Sequence, residues 1–229
     1  MVKPQKRISK KEMKQDEFLE FMFTAEQYIR RNAKMISYIA VGVIAVVVIG
    51  IMMYNSKQTA ETEAAAAVGA AQALYDQGNY QQAIDELQPI IEDYRGTQSA
   101  GVGVFYLGSA HNRLGNDEEA IDYFELYLDS YDNDPILSAS AMAALGAFQA
   151  ENGNYSEAAT QFRRASQRVN VKFLSQRYRL EQIRYTFESG QQGEAERMLT
   201  ALMDAQELDP TIQSDAEELY ANIQVVVSN

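Results

Sequence analysis

Residues 107–124 read LGSAHNRLGNDEEAIDYF, and the placement of the small residues in this stretch decides the fold. Gly115 is followed five residues later by Ala120, and Phe124 stands four residues beyond that. The same spacing recurs at Gly78, Ala83 and Leu87, at Gly153, Ala158 and Phe162, and at Gly190, Ala195 and Leu199. The steps between successive glycines are 37, 38 and 37 residues. GNYQQA (78–83) returns as GNYSEA (153–158), and Leu107-Gly108 returns as Leu145-Gly146. Self-similarity at a fixed period of this size marks stacked supersecondary units, each too small to bury its apolar face alone.

Each position has a physical meaning. The Leu-Gly pair sits on a first helix, where Gly lets a neighbouring helix come close. The later Gly ends that helix, because it accepts a positive φ at the cap. The Ala lies where a second helix crosses the first, and the large residue four positions on fills the core. Asp134-Pro135 and Asp209-Pro210 occupy equivalent places and begin the next helix, with Pro in its first turn. No segment shows the alternation of a strand. The expected fold class is therefore all-α, with a helical-repeat solenoid over 57–229.

This pattern resembles the tetratricopeptide repeat. Leu107, Gly108, Gly115, Ala120 and Phe124 follow its positions, as do Leu145, Gly146, Gly153, Tyr155, Ala158 and Phe162. The first repeat keeps the second-helix half, Gly78, Tyr80, Ala83 and Leu87, and the fourth keeps Gly190, Ala195 and Leu199. Repeats are expected at about 64–97, 101–135, 139–170 and 172–208. A last amphipathic helix, 211–226, carries Ile212, Ala216, Leu219, Ile223 and Val226 on one face and caps the open end.

Upstream of the array lies a stretch of a different kind. Met35 to Ser56 holds no charged residue across 22 positions. As a helix it would reach about 33 Å, enough for a hydrocarbon core of about 30 Å. Tyr38 and Tyr54 stand near its ends, where amphipathic rings favour the interface. A cleaved signal peptide needs a shorter apolar region closer to the start. The expectation is one transmembrane helix, 35–56. Residues 1–34 carry nine Lys/Arg and five Asp/Glu, whereas 57–229 carry eleven and 27. Cations next to a span stay on the cytoplasmic side, so a cytoplasmic N-terminus and an external acidic domain follow.

The cytoplasmic segment has two parts. Six cations fall between Lys3 and Lys14, suited to setting topology or to contact with anionic lipid or ribosomal RNA. Residues 12–33 then read as an amphipathic helix with Phe18, Met22, Ala25, Ile29 and Ala33 on one face. Such a face lies on the membrane surface, packs on a partner's membrane helices, or extends the anchor inward.

Chemistry has little to work with. The absence of Cys removes disulfides, thiolate catalysis and Cys-based metal sites. His111 stands where a first-helix aromatic usually packs, and one His without Cys does not build a zinc site. Asp129, Asp132 and Asp134 lack the Gly and distal Glu of a calcium loop. No phosphate loop, GxSxG or HExxH is present. No enzymatic activity, no cofactor, no metal and no small-molecule substrate is expected. The acid excess argues against nucleic acid at the outer domain.

Protein binding is what the resemblance implies. Stacked first helices line a concave groove. On the family's pattern that groove takes Val68, Gln72 and Tyr75 from the first repeat and Phe105, Asn112 and Arg113 from the second. The third gives Ala143, Ala147 and Ala150, and the fourth Arg177, Leu180, Arg184 and Phe187. The Lys/Asn clamp of chaperone-tail readers is not matched in the first repeat. Phe18, Met22 and Ile29 are the expected contacts on the cytoplasmic side.

Taken together, a short cytoplasmic segment, one anchor and an external tetratricopeptide-like domain resemble the ancillary SecYEG translocon subunit family. The basic segment 3–14 is longer than that family's usual start. The resemblance implies a bacterial inner-membrane protein whose outer domain is periplasmic. Its partners would be translocon subunits, secreted chains or periplasmic chaperones, with membrane lipid around the anchor. The alternative is a structural scaffold of another envelope complex serving secretion, respiration or division.

Overall fold

Among the described residues, every regular element of the computed structural model is a helix. The structure describes residues 10–205 and 207–227, with side chains over 21–205 and 207–225. The basic run 3–14, Phe18 and Val226 therefore lie outside the described side chains. In chain order the helices are α1 (Lys10–Arg31), α2 (Ala33–Asp76), α3 (Tyr80–Asp93), α4 (Gln98–Leu114) and α5 (Asp117–Ser130). They continue as α6 (Pro135–Glu151), α7 (Tyr155–Arg168), α8 (Lys172–Glu188), α9 (Gln192–Met203) and α10 (Pro210–Val227). The chain divides into two compact units between Lys57 and Gln58.

The first unit holds α1 and the opening of α2. Asn32 interrupts the helix for one residue, yet its backbone N–H still donates to Tyr28 O at 3.0 Å. Its side-chain Nδ2 donates to the same carbonyl, also at 3.0 Å. On α1, Phe21, Met22, Phe23, Tyr28 and Ile29 are all exposed. Every residue from Ser37 to Thr59 is exposed too, although most are Val, Ile, Met or Ala. Among the described residues, α2 is the one helix long and apolar enough to cross a membrane, judged by length and composition.

The second unit is a tetratricopeptide-like stack of helix pairs. The end of α2 pairs with α3, α4 with α5, α6 with α7, and α8 with α9, while α10 closes on α8 and α9. The core is a chain of local clusters. Val68 and Ala71 meet Ile84, Leu87 and Leu107; Val104, Ala120 and Phe124 meet Ala141, Leu145 and Phe148. Leu180 and Ile183 meet Leu199, Leu202, Ile212 and Ile223. Such layering fits an array in which each repeat leans only on its neighbours.

The repeated residues do what their chemistry suggests. Gly115 caps α4 at φ 75°, ψ 21°, a left-handed conformation that a Cβ would strain, and Asn116 N–H then reaches back to His111 O at 3.0 Å. A Cβ on Gly108 would stand 3.1 Å from the Phe124 ring, so a side chain there would have to displace the aromatic of α5 by a few tenths of an ångström. Ala83, Ala120, Ala158 and Ala195 are completely buried. Asp134 caps α6, its Oδ1 accepting from Ile136 N–H at 2.8 Å and Leu137 N–H at 3.0 Å. Asp209 Oδ1 accepts from Thr211 N–H at 2.9 Å at the start of α10.

Candidate protein-binding clefts

The end of α2 presents Tyr75 to the next pair of helices. Its ring meets Tyr80 and Tyr106 edge-on, with centroids 5.2 and 5.3 Å apart. Phe105, one residue earlier on α4, meets Phe124 and Tyr127 edge-on at 5.7 and 5.8 Å. Edge-to-face geometry suits the ring quadrupoles and fixes the wall these rings build. Along α4, Ser109, Asn112 and Arg113 follow Phe105 on the same face at helical spacing. The Arg113 Nε–H donates to the Tyr75 hydroxyl at 3.5 Å, a weak contact.

On the opposite side α6 contributes Ser140 and Ala144. Together these residues enclose a cleft of about 480 Å³ with buried Phe124 in its floor, a volume typical of ligand sites. Ser140 Oγ also lies 3.3 Å from the Tyr178 hydroxyl, which ties this edge of α6 to α8.

A second, smaller cleft of about 190 Å³ lies between α8 and α10, lined by Arg184, Phe187, Glu188, Asp215, Glu218, Leu219 and Asn222. Arg184 approaches Glu181 on its own helix at 3.5 Å, and Phe187 leans on the cluster that joins α8, α9 and α10.

Residues expected in the groove fall in both clefts. Tyr75, Phe105, Asn112 and Arg113 come together in the larger, and Arg184 and Phe187 belong to the smaller. Arg177 is exposed and lines neither. Val68 and Leu180 are corrections: both are core residues, 4% and 2% exposed. Val68 packs where Gly103 lets α2 approach α4, and Leu180 is enclosed by α9 and α10. Ala143, Ala147 and Ala150 are half-buried, yet α6 lines the cleft through Ser140 and Ala144. Met22 and Ile29 on α1 are exposed.

The electrostatics of the larger cleft are simple. Burial, then Asp76 and Tyr75, raises the Tyr106 phenol above its ordinary value. The hydrogen bond from Arg113 to Tyr75 raises the guanidinium further. On α4, His111 is enclosed and stacked on Tyr123 at 5.4 Å, with Nδ1 3.3 Å from Asn116 Nδ2 and Nε2 without a partner among the described residues. Burial lowers its pKa below 6.5, against a smaller opposing pull from Glu119. The neighbouring acids serve the scaffold: Asp132 pairs with Arg168 at 3.0 Å, and Asp134 caps α6. Among the described residues no group of three or more metal-ligating side chains converges.

The comparison with curated proteins gives no match. Residues 63–135, which span the last turns of α2, all of α3 to α5 and every α2 and α4 residue of the larger cleft, match the family model for the tetratricopeptide repeat.

Proposed function

We propose that this chain is a single-pass membrane protein that binds other proteins and catalyses nothing, with its repeat domain on the periplasmic side of a bacterial inner membrane. The observation that carries the reading is the cleft where Tyr75, Phe105, Asn112 and Arg113 converge against Ser140 and Ala144. Aromatic and Arg side chains around a recess dominate protein interfaces. The uncharged stretch 35–56 and the cation excess before it support the anchor and its orientation. Anchoring raises local concentration at the membrane, which offsets weak affinity in the cleft. The favoured neighbours, by resemblance, are translocon subunits, secreted chains and periplasmic chaperones. Exposed Met22 and Ile29, with Phe18 in the same sequence register, are the proposed contacts on the cytoplasmic side.

Photo-crosslinking side chains at Phe105, Arg113, Arg184, Phe187, Met22 and Ile29 test this in native membranes. Capture of translocon subunits or secreted chains is the expected result. Capture only of subunits from an unrelated envelope complex replaces the translocon assignment with a scaffold role. Silence at the cleft positions, with capture at Met22, makes the repeat array a spacer.

A further inference from the structure

The charges of the repeat domain are sorted between its two layers. The second helices of the first two pairs, α3 and α5, carry ten carboxylates and no Lys or Arg. The first helix α4 carries no carboxylate at all, and α6 has only Glu151, in its last turn. The larger cleft is built from α2, α4, α5 and α6, and Arg113 is the single charged residue in its lining. The second-layer acids near it do not neutralise that guanidinium. Arg168, Arg184, Arg197 and Lys172 each hold a carboxylate partner in this domain. Arg113 has no carboxylate at ion-pair distance among the described residues, and it donates a hydrogen bond to the Tyr75 hydroxyl. Beside it, Phe105 stands half-buried in a fixed aromatic wall, and the small side chains Ser140 and Ala144 leave the facing side open.

We infer that this cleft selects peptide segments in which a side-chain carboxylate lies next to a bulky apolar residue. The carboxylate sits on Arg113 and Asn112, and the apolar side chain fills the space between Phe105 and Ala144. This rests on the reading of the cleft as a protein-binding site. A guanidinium offers a planar fork of donors that matches a carboxylate, and the Asn112 amide adds a neutral donor beside it. The acidic domain repels an anionic segment at long range, but that repulsion fades beyond about 8 Å at physiological salt. The contact at Arg113 is short-ranged, and it favours an acid inside the cleft, where no carboxylate lines the wall. Neutral apolar segments lose the carboxylate contact, and basic segments meet an unpaired like charge.

The test uses the full-length chain in detergent micelles and fluorescence anisotropy of a labelled peptide of Phe, Asp, Gly and Ser. Two further peptides carry Asn or Lys in place of Asp. The Asp peptide should bind tightest and the Lys peptide weakest. Arg113→Gln should weaken the Asp peptide roughly three- to tenfold and leave the Asn peptide unchanged, the range for a charge-assisted contact discounted for exposure. Arg164→Gln on α7, outside the cleft, should change nothing. Arg113 and Asn112 are exposed, so their variants keep the fold, and circular dichroism verifies that. Equal binding of the Asp and Asn peptides, both lost in Asn112→Trp, would overturn the charge selection and leave the cleft standing as a binding site. Tightest binding of the Lys peptide overturns the selection as well. Binding of all three peptides that Asn112→Trp and Ala144→Arg leave intact would sink the cleft itself, and this inference with it.

Discussion

The two halves of α2 are one helix under opposite rules. From Ser37 to Thr59 no side chain is covered, and Val, Ile and Met point in every direction. Between Ala64 and Ala71 the helix buries a single stripe, Ala64, Val68 and Ala71, and leaves Ala65, Ala66, Gly69 and Ala70 outside. An all-round apolar helix has no face to give to water, and none of the described residues covers the first half. The second half needs only its neighbours α3 and α4. Backbone geometry is common to both halves; what differs is which surroundings satisfy the side chains.

The largest expected effect separates these surroundings outright. Placing Asp at both Val46 and Val47 puts two charges near the middle of the proposed span, at about 2.5–3.5 kcal/mol each on insertion scales. Fractionation should then find the protein outside the membrane pellet, with its helical unfolding transition unchanged. Retention in the pellet would break the contrast, because the first half would not need lipid.

Ala120→Asp should give the mirror image. Ala120 on α5 is fully buried in a cluster of apolar side chains from α4, α5 and α6. The substitution should cost about 3–5 kcal/mol, the range for an uncompensated buried charge. Thermal melts should show the loss, and the membrane fraction should keep its protein. A melt like that of the parent chain would mean that α4 and α5 do not cross at Ala120.

Glycines make a finer test within the second half and its neighbours. Gly115 holds a positive φ at the α4 cap, so Gly115→Ala should destabilise by about 1–2 kcal/mol. Gly69 lies inside α2, and a Cβ there would meet nothing within 4 Å. Gly69→Ala should therefore raise stability by about 1 kcal/mol, the propensity difference alone. If urea midpoints fall for both variants, the exposed face of α2 has a partner that needs the bare backbone.

These residues also mark how far the sequence carries. Gly115, Ala120 and Phe124 are legible because a cap, a crossing and a filled core each demand one kind of side chain, and the demand repeats every 37 or 38 residues. The cleft was legible on α4, where Phe105, Asn112 and Arg113 share a face. It was not legible on α6. Carrying the α4 register forward by one repeat gives Ala143, Ala147 and Ala150, while the cleft uses Ser140 and Ala144. Two successive first helices flank a cleft from opposite sides, so each turns a different edge toward it. The register that names Tyr75 on α2 and Asn112 on α4 therefore misses the edge that α6 presents. Val68 and Leu180 failed for a related reason: an apolar residue on a first helix fits the groove and the contact with the next pair equally well by pattern. The cue that separates them at Val68 is the small partner Gly103, whose added Cβ would come 3.3 Å from the Val68 methyl.

The smallest expected effect concerns His111, buried on α4. Enclosure on α4 and against Tyr123 of α5 disfavours the imidazolium, and Glu119, the carboxylate that acts on the ring, opposes this only in part. The folded-state pKa is thus below 6.5 while the unfolded chain keeps its ordinary value. The unfolded state then binds more protons, so stability is greatest above that ordinary value and declines as pH falls through it. Between about pH 7.5 and about pH 5.5 ordinary carboxylates stay largely ionised, and a lone His dominates the change. The urea midpoint of the repeat domain should drop slightly across this interval in the parent chain and stay flat in His111→Gln. Because α4 also carries Asn112 and Arg113, the same titration should loosen peptide binding in the larger cleft more than anything measured at the α8–α10 cleft. A midpoint that rises on acidification would mean the imidazolium is stabilised in the fold, and that Glu119 rather than burial governs this side chain.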